Sequence, residues 1–248
     1  MKVAALYDIH GNLPALEAVL QDIRREGVDR IVVGGDVVPG PMPRETLALL
    51  LDLDIPTQFI QGNCEHEVLA QMAGIETGEV PAQFREILRW VGQQIPPEYE
   101  RLMAEWPITL RVEIGGIGEA LFCHATPRNN TEVFTRLTPE DRLLPVFEGV
   151  DAALVVCGHT HMQFDRRIGE IRVVNSGSVG SPYGVPGAYW LLLGPDVQLR
   201  YTSYDLALAA ERIRQTSYPN ADECAENDVL HPPSEAEWLE VITRMELK

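Results

Sequence analysis

Short apolar runs alternate with amphipathic segments in the N-terminal part of the chain. Lys2–Tyr7 is a strand-like apolar run, and after a polar loop leucine, valine and isoleucine recur at the spacing of a helix. The same unit begins again at Ile31–Val33 and at Gln58–Ile60. Strands that alternate with helices pair in parallel, and the loops at their carboxyl ends meet in one crevice. The sequence therefore predicts an α/β fold with a ligand crevice at these loops.

A second sheet is predicted after Pro107. Ile108–Ile114 and Ala120–Cys123 have the composition of strands separated by a glycine-rich turn. Ala152–Cys157 is a fully apolar strand, and hairpin-like segments follow around Gly169-Glu170 and Gly194-Pro195-Asp196. We interpret the whole chain, 1–248, as a single domain.

Two helical regions are predicted within this domain. Pro81–Glu105 is helical after a loose connection, and two interpretations of 74–106 stay open: a helical cap over the crevice, or helices packed on the outside of a sheet. Residues 204–248 form a C-terminal helical extension. Within it, Leu206–Arg214 is a predicted helix, and the pattern that starts at Ser234 can cap a last one.

Composition excludes several classes of protein. The 248 residues carry 37 acidic and 20 basic side chains, a formal charge of −17, which argues against a long nucleic acid as partner. No run approaches the ~18 apolar residues of a membrane span. The four cysteines show no Cys-x-x-Cys spacing, and Asp8 comes too early for the apolar part of a signal peptide. These features predict a cytoplasmic protein, and they leave its oligomeric state open.

Metal-ligand side chains are concentrated at the ends of five predicted strands. Each motif alone is common, since a lone Asp-x-His or Gly-Asp is usually an ordinary turn. Together they combine carboxylate, amide and imidazole donors, which is typical of a metal centre. The candidate metal ligands are Asp8, His10, Asp36, Asn63, His124, His159 and His161.

The donor types indicate two cations rather than one. A carboxylate has two oxygens and can bridge two ions, which makes Asp36 the candidate bridge. Two divalent ions ~3.5–4 Å apart would clamp phosphate oxygens and acidify a bound water. They would also make the pocket locally positive in an acidic protein. Mixed Asp, Asn and His ligands accept Mn, Fe, Zn, Ni or Mg, so the identity of the metal stays open.

This series of motifs, in this order, resembles the calcineurin-like metallophosphoesterase superfamily. The resemblance implies a four-layer αββα sandwich of two mixed β-sheets flanked by helices, with a dinuclear site. It implies that one metal is held by Asp8, His10, Asp36 and His161, and the other by Asp36, Asn63, His124 and His159. It also implies a supporting turn near the site at Asn175–Ser178.

The chain departs from the family pattern at one position. Many members carry a histidine after the metal-binding asparagine, where it helps the leaving group depart, and this chain has Cys64, as in a bacterial phosphodiesterase-like branch. A thiol is a weak hydrogen-bond donor, so leaving groups of low pKa should suffer least. Two interpretations of Cys64 stay open: a small side chain that only fills space, or a reactive thiol. Whether His66 takes the place of the missing histidine also stays open. The candidate catalytic residues are Asn63, Cys64 and His124.

The leading hypothesis is a metal-dependent phosphoesterase that hydrolyses a small phosphodiester or phosphomonoester through a metal-bridging hydroxide. We expect diesters to be favoured, because Cys64 replaces the usual acid and a diester brings less negative charge. One alternative is a protein or dinucleoside-polyphosphate phosphatase, which would need basic side chains such as Arg128, Arg136 and Arg166 at the site. The other alternative is a metal-bound nucleotide sensor or scaffold with little catalysis.

Overall fold

Two five-stranded mixed sheets form the centre of the molecule. The structure is a computed structural model that describes residues 1–75 and 82–247. The strands are β1 (Val3–Leu6), β2 (Arg30–Val33), β3 (Thr57–Phe59), β4 (Thr109–Ile114), β5 (Gly118–Cys123), β6 (Leu154–Cys157), β7 (Phe164–Ile168), β8 (Ile171–Asn175), β9 (Ala188–Leu193) and β10 (Val197–Thr202).

Each sheet has a parallel centre and antiparallel edge strands. The first has the order β10-β9-β1-β2-β3, in which β1, β2 and β3 are parallel and the β9–β10 hairpin pairs antiparallel to β1. The second has the order β4-β5-β6-β8-β7, with β5, β6 and β8 parallel. The carboxyl ends of the parallel strands in both sheets therefore carry the loops that form the site.

Helices flank both sheets, and the last three pack in clusters of their own. The helices are α1 (Leu13–Glu26), α2 (Pro43–Leu51), α3 (Asn63–Met72), α4 (Ala82–Gln94), α5 (Pro97–Glu105), α6 (Glu140–Phe147), α7 (Leu206–Arg214), α8 (Ala221–Cys224) and α9 (Glu235–Ile242). A π-helical segment, Ala225–Leu230, follows α8, and a 3-10 turn, Thr243–Met245, follows α9. The predicted capping box at Ser234 is present, because its hydroxyl accepts from the Glu237 N–H at 3.3 Å.

Three apolar clusters define the layers. One lies between the sheets and joins residues such as Tyr7 and Val32 to Phe122 and Val156. A second packs α1–α4 on the outer face of the first sheet, and a third packs α6 on the outer face of the second. This helix–sheet–sheet–helix order confirms the predicted αββα sandwich.

The two predicted helical regions contain helices, α4 and α5 in the first and α7, α8 and α9 in the second. Residues 76–81, which include most of the predicted connection over 74–80, and the terminal residue 248 lie outside the described residues. Within α4, Ile87, Leu88 and Val91 join the outer cluster of the first sheet, while Phe84 is 49% exposed. The division into a cap over 74–106 and an extension over 204–248 stays a prediction. In the described ranges, no helix is both long and apolar enough to cross a bilayer.

Candidate active site

Most of the sequence-predicted ligands have a backbone conformation that favours glycine. Five of the seven candidate ligands have φ between 46° and 67°, namely Asp8, His10, Asp36, His159 and His161. Such a conformation costs about 1–3 kcal/mol per residue and persists only where neighbouring structure holds it. Here the loops hold one another, since the N–H of Asp8 donates to the Gly35 carbonyl at 3.1 Å and that of His10 to the Asp36 carbonyl at 3.0 Å.

One group of donor atoms consists of Asp8, His10 and His161, all within 4.8 Å of one another. The His161 Nε2 atom lies 3.3 Å from Asp8 Oδ1 and 3.2 Å from His10 Nε2. His161 Nδ1 lies 2.6 Å from the Ser181 carbonyl, which can only accept, so Nδ1 carries the proton. When Nε2 is deprotonated, its lone pair therefore points toward Asp8 and His10, as in a metal-ligating histidine.

A second group consists of Asp36, His124 and His159. The Gly34 carbonyl accepts from His124 Nδ1 at 2.9 Å, so in the deprotonated ring the Nε2 lone pair again points inward. That atom lies 3.1 Å from Asn63 Oδ1 and 3.4 Å from Asp36 Oδ2. Asp36 Oδ2 also lies 3.9 Å from His10 Nε2, which places this carboxylate between the two groups.

A buried oxygen at the centre tests whether these residues fit a cation. Asp8 Oδ1 is buried and has no hydrogen-bond partner among the described residues. It is surrounded by the Nε2 atoms of His161, His124 and His10, at 3.3, 3.9 and 4.0 Å. An unpartnered buried carboxylate oxygen is costly unless it meets positive charge. The residues therefore fit divalent cations in both donor type and arrangement.

The protonation equilibria show how strongly the site attracts positive charge. Burial lowers the pKa of His124, but Asp36 and Asp8 more than reverse this effect and raise it to about 10. Burial and the neighbouring His124 lower the pKa of His159 to about 4. Burial raises the pKa of Asp36, yet its interactions with His124 and His10 leave it well below the usual range. Without metal, protonated imidazole thus supplies the positive charge that the carboxylates require.

Glu65 organises the loops although it is absent from the sequence-predicted set. Its buried carboxylate accepts hydrogen bonds from the N–H groups of Asp36, Gly62, Val37 and Val38 at 2.8, 2.8, 2.7 and 3.2 Å. Burial and the Asp36 carboxylate raise its pKa to about 7. Glu65 stands three residues after the N-cap Gly62 and accepts its N–H, which is the glutamate half of a capping box, and this spacing is the signal that could have identified it.

Glycines allow these loops to approach closely. Gly35 has φ +92°, and a Cβ there would lie 2.6 Å from the Gly62 nitrogen. A Cβ on Gly62 would lie 2.1 Å from Asp36 Oδ1. Asp36 Oδ1 in turn accepts from the Cys64 N–H at 3.0 Å at the start of α3. The Gly35-Asp36 and Gly62-Asn63 pairs are therefore steric requirements of the site.

The turn Asn175–Ser178 supports the site from behind. The Asn175 amide donates to the Gly158 carbonyl at 2.6 Å, next to the His159 loop. The Ser178 hydroxyl donates to the Asp8 carbonyl at 2.7 Å. This is consistent with the supporting role that the resemblance implies.

A cavity of about 580 Å³ opens onto the candidate ligands His10, Asn63, His159 and His161. Its other walls are mostly apolar and contain two carboxylates. They include Pro39, Pro41, Cys64, Glu67, Phe84, Ile87, Leu88, Val133, Tyr218, Cys224, Asp228 and Met245.

Burial and the nearby Asp36 raise the pKa of the Cys64 thiol well above its usual range, so in the metal-free protein it stays protonated at neutral pH.

Four other sequence-predicted candidates do not line this cavity. His66 is exposed on α3. Arg128 is paired with Glu132, and Arg136 with Glu235. Arg166 donates to the carbonyls of Thr135, Arg136 and Thr138. The basic cluster that a polyphosphate or phosphoprotein would need is thus not formed at the cavity by these arginines.

Comparison with known proteins identifies the family. The model of the calcineurin-like phosphoesterase superfamily domain matches residues 1–193. The chain belongs to this superfamily. It is 29% identical over 238 residues to an uncharacterized protein of Methanocaldococcus jannaschii, MJ0912, covering 88% of this chain and 93% of that protein. It is 27% identical over 206 residues to the phosphodiesterase YfcE of Escherichia coli, covering 79% and 89%.

The similarity to one solved structure covers nearly the full length of both chains. A metallophosphoesterase from Sphaerobacter thermophilus is 25% identical and superposes with a TM-score of 0.73 over 92% of this chain and 99% of that one. The αββα sandwich of this chain is thus the fold of a metallophosphoesterase. Several cavity residues, including Tyr218, Asp228 and Met245, lie beyond the region that the family model matches.

Proposed function

We propose that the protein is a metal-dependent phosphoesterase that hydrolyses a small phosphodiester or phosphomonoester, with diesters favoured. The observation that carries this proposal is the convergence of imidazole and carboxylate donors around Asp8 Oδ1 and Asp36 Oδ2. Membership of the superfamily and the similarity to a phosphodiesterase support it.

The proposed ligand sets follow the two groups of donor atoms. Asp8, His10, Asp36 and His161 would hold one divalent cation. The other would be held by Asn63, His124 and His159 together with the shared Asp36. When bound, such cations neutralise phosphate oxygens and supply a nucleophile from water at neutral pH. The donor types admit Mn, Fe, Zn, Ni or Mg.

The chain's own residues would orient the substrate and set its preference. The Ser181 and Gly34 carbonyls fix the tautomers of His161 and His124, so that both rings keep a lone pair available for binding. Cys64 lines the cavity, at the position where a histidine would donate a stronger hydrogen bond to the leaving group. Its weak S–H donor favours leaving groups that depart without protonation.

The direct test is to load the metal-free protein with manganese and compare bis-p-nitrophenyl phosphate with p-nitrophenyl phosphate. We expect turnover of both and a higher kcat/KM for the diester. The variant Asp36→Ala should lose metal binding and turnover together. Asp54→Ala, which neutralises an exposed carboxylate, is the matched control and should keep both.

Two results would contradict the proposal. Retention of metal and activity by Asp36→Ala would place the site elsewhere. Two bound metals per chain without hydrolysis of any activated ester, not restored by Cys64→His, would favour the sensor or scaffold alternative. Faster turnover of the monoester would keep the assignment as a phosphoesterase but reverse the expected preference for diesters.

A further inference from the structure

The walls of the cavity differ chemically from its floor. The floor holds the candidate ligands, including His10 and His161, whereas Phe84, Ile87 and Leu88 of α4 line the cavity with apolar side chains. Among the described residues that line the cavity there is no lysine or arginine. A phosphoryl group at the floor would therefore place its organic substituents against apolar surface, without a basic side chain to receive a second anion.

Two carboxylates face the same space. Glu67 on α3 is hydrogen-bonded to the Asn63 side chain. Asp228, on the π-helical segment, accepts from the Ser181 hydroxyl at 2.8 Å. The carbonyl of the same Ser181 accepts from His161 Nδ1 at 2.6 Å, so a single residue links the Asp228 carboxylate to a candidate metal ligand. This negative charge is held in the same cavity as the candidate metal ligands.

We infer that the cavity selects phosphodiesters whose substituents are apolar and carry no further negative charge, and that Asp228 is a specificity-determining residue that repels a second anion. The inference rests on the proposed function, because it places the phosphoryl group at the candidate ligands. It assigns a role to the C-terminal segment beyond residues 1–193. It also separates this chain from enzymes for polyphosphates, whose substrates carry several adjacent charges.

Binding of phosphinates tests the inference without hydrolysis. Diphenylphosphinate, dimethylphosphinate and bis(4-carboxyphenyl)phosphinate present the PO₂⁻ group of a diester on carbon–phosphorus bonds that water does not cleave. Each ion is symmetric, so either substituent can enter the cavity. Calorimetry on the manganese-loaded protein should give a Kd for diphenylphosphinate at least about tenfold below that for dimethylphosphinate, because phenyl groups bury more apolar area.

The carboxylated ion tests the charge. Its Kd should exceed that of diphenylphosphinate at least about tenfold, and Asp228→Asn should reduce this ratio about fivefold by removing one repulsive charge in a partly buried setting. Asp222→Asn, at a carboxylate of the preceding helix α8 that is 94% exposed, is the matched control and should leave the ratio unchanged. Phe84→Ala should reduce the preference for phenyl over methyl.

The outcomes separate the inference from the proposed function. Equal affinity for the three phosphinates, tighter binding of the carboxylated ion, or an unchanged ratio in Asp228→Asn would overturn the inference, even if bis-p-nitrophenyl phosphate is hydrolysed. The expected affinities in a protein that hydrolyses no ester would support the inference about the cavity and contradict the proposed function.

Discussion

Replacement of Glu65 by alanine should destabilise the metal-free protein by about 3–5 kcal/mol. The carboxylate is fully buried and accepts four backbone hydrogen bonds, from Asp36, Val37, Val38 and Gly62. Each buried N–H left without an acceptor costs about 1–3 kcal/mol. Water that enters the space, and relief from burying a charge, offset part of the sum, which leaves a value at the upper end of single substitutions.

Replacement of Glu65 by glutamine should cost less, about 2 kcal/mol. One oxygen of the carboxylate accepts from Asp36 and Gly62, and the other accepts from Val37 and Val38. The glutamine amide keeps one oxygen and turns its NH₂ group toward the other two donors, so in either orientation two of the four hydrogen bonds are lost.

Urea unfolding of the metal-free variants measures these differences at equilibrium. His66→Ala, at the exposed neighbour on the same helix, is the control and should change the free energy of unfolding by less than about 0.5 kcal/mol. Calorimetric titration with Mn²⁺ should show weaker binding in Glu65→Ala, because the loops that carry Asp36 and Asn63 lose their common acceptor. A loss below about 1 kcal/mol in Glu65→Ala, with unchanged Mn²⁺ affinity, would show that Glu65 does not hold the ligand loops together.

Three further predictions concern the metal, the thiol and a glycine. Mn²⁺ at about 100 times the Kd of each of the two proposed sites should stabilise the metal-free protein by about 5 kcal/mol in thermal unfolding, about 2.7 kcal/mol per site. Asp36→Ala should abolish the gain, and an equal gain in that variant would contradict the bridging role. Cys64→His should raise kcat for diesters with alkyl leaving groups about 10²-fold relative to p-nitrophenyl esters, because an imidazolium can protonate the leaving oxygen; equal changes for both leaving groups would contradict this. Gly35→Ala should destabilise the protein by more than about 2 kcal/mol in urea unfolding, because the added Cβ would lie 2.6 Å from the Gly62 nitrogen. The control is Gly149→Ala, which also has a positive φ but has open space around it and should cost less. Equal costs for the two alanines would show that close approach is not the reason for glycine.

The elements that the sequence predicts best are strands buried on both faces. β1 and β6 are continuous apolar runs with every residue buried, so local composition identifies them without knowledge of their neighbours. The candidate ligands follow directly, since the ends of parallel strands meet at one edge whatever the order of the strands. The sequence also predicts the hairpin around Gly169-Glu170, because this turn separates two short strand-like segments, β7 and β8.

Contacts between distant parts of the chain explain what the sequence does not reveal. The β9–β10 hairpin follows the second sheet in the chain but pairs with β1 in the first, and nothing local specifies that partner. The helix α6 was missed, since it contains Pro145 and begins after a loop. The positive φ values of the ligand loops depend on hydrogen bonds between loops. The C-terminal wall of the cavity, including Asp228, depends on packing across nearly the whole chain.

Anomalous scattering from crystals of the manganese-loaded protein would show directly whether Asp36 joins two cations. We expect two peaks per chain, about 3.5–4 Å apart, with the Asp36 carboxylate between them and Asp8 and His124 on opposite sides. A single peak, or a pair of peaks that does not include Asp36 as a common ligand, would contradict it.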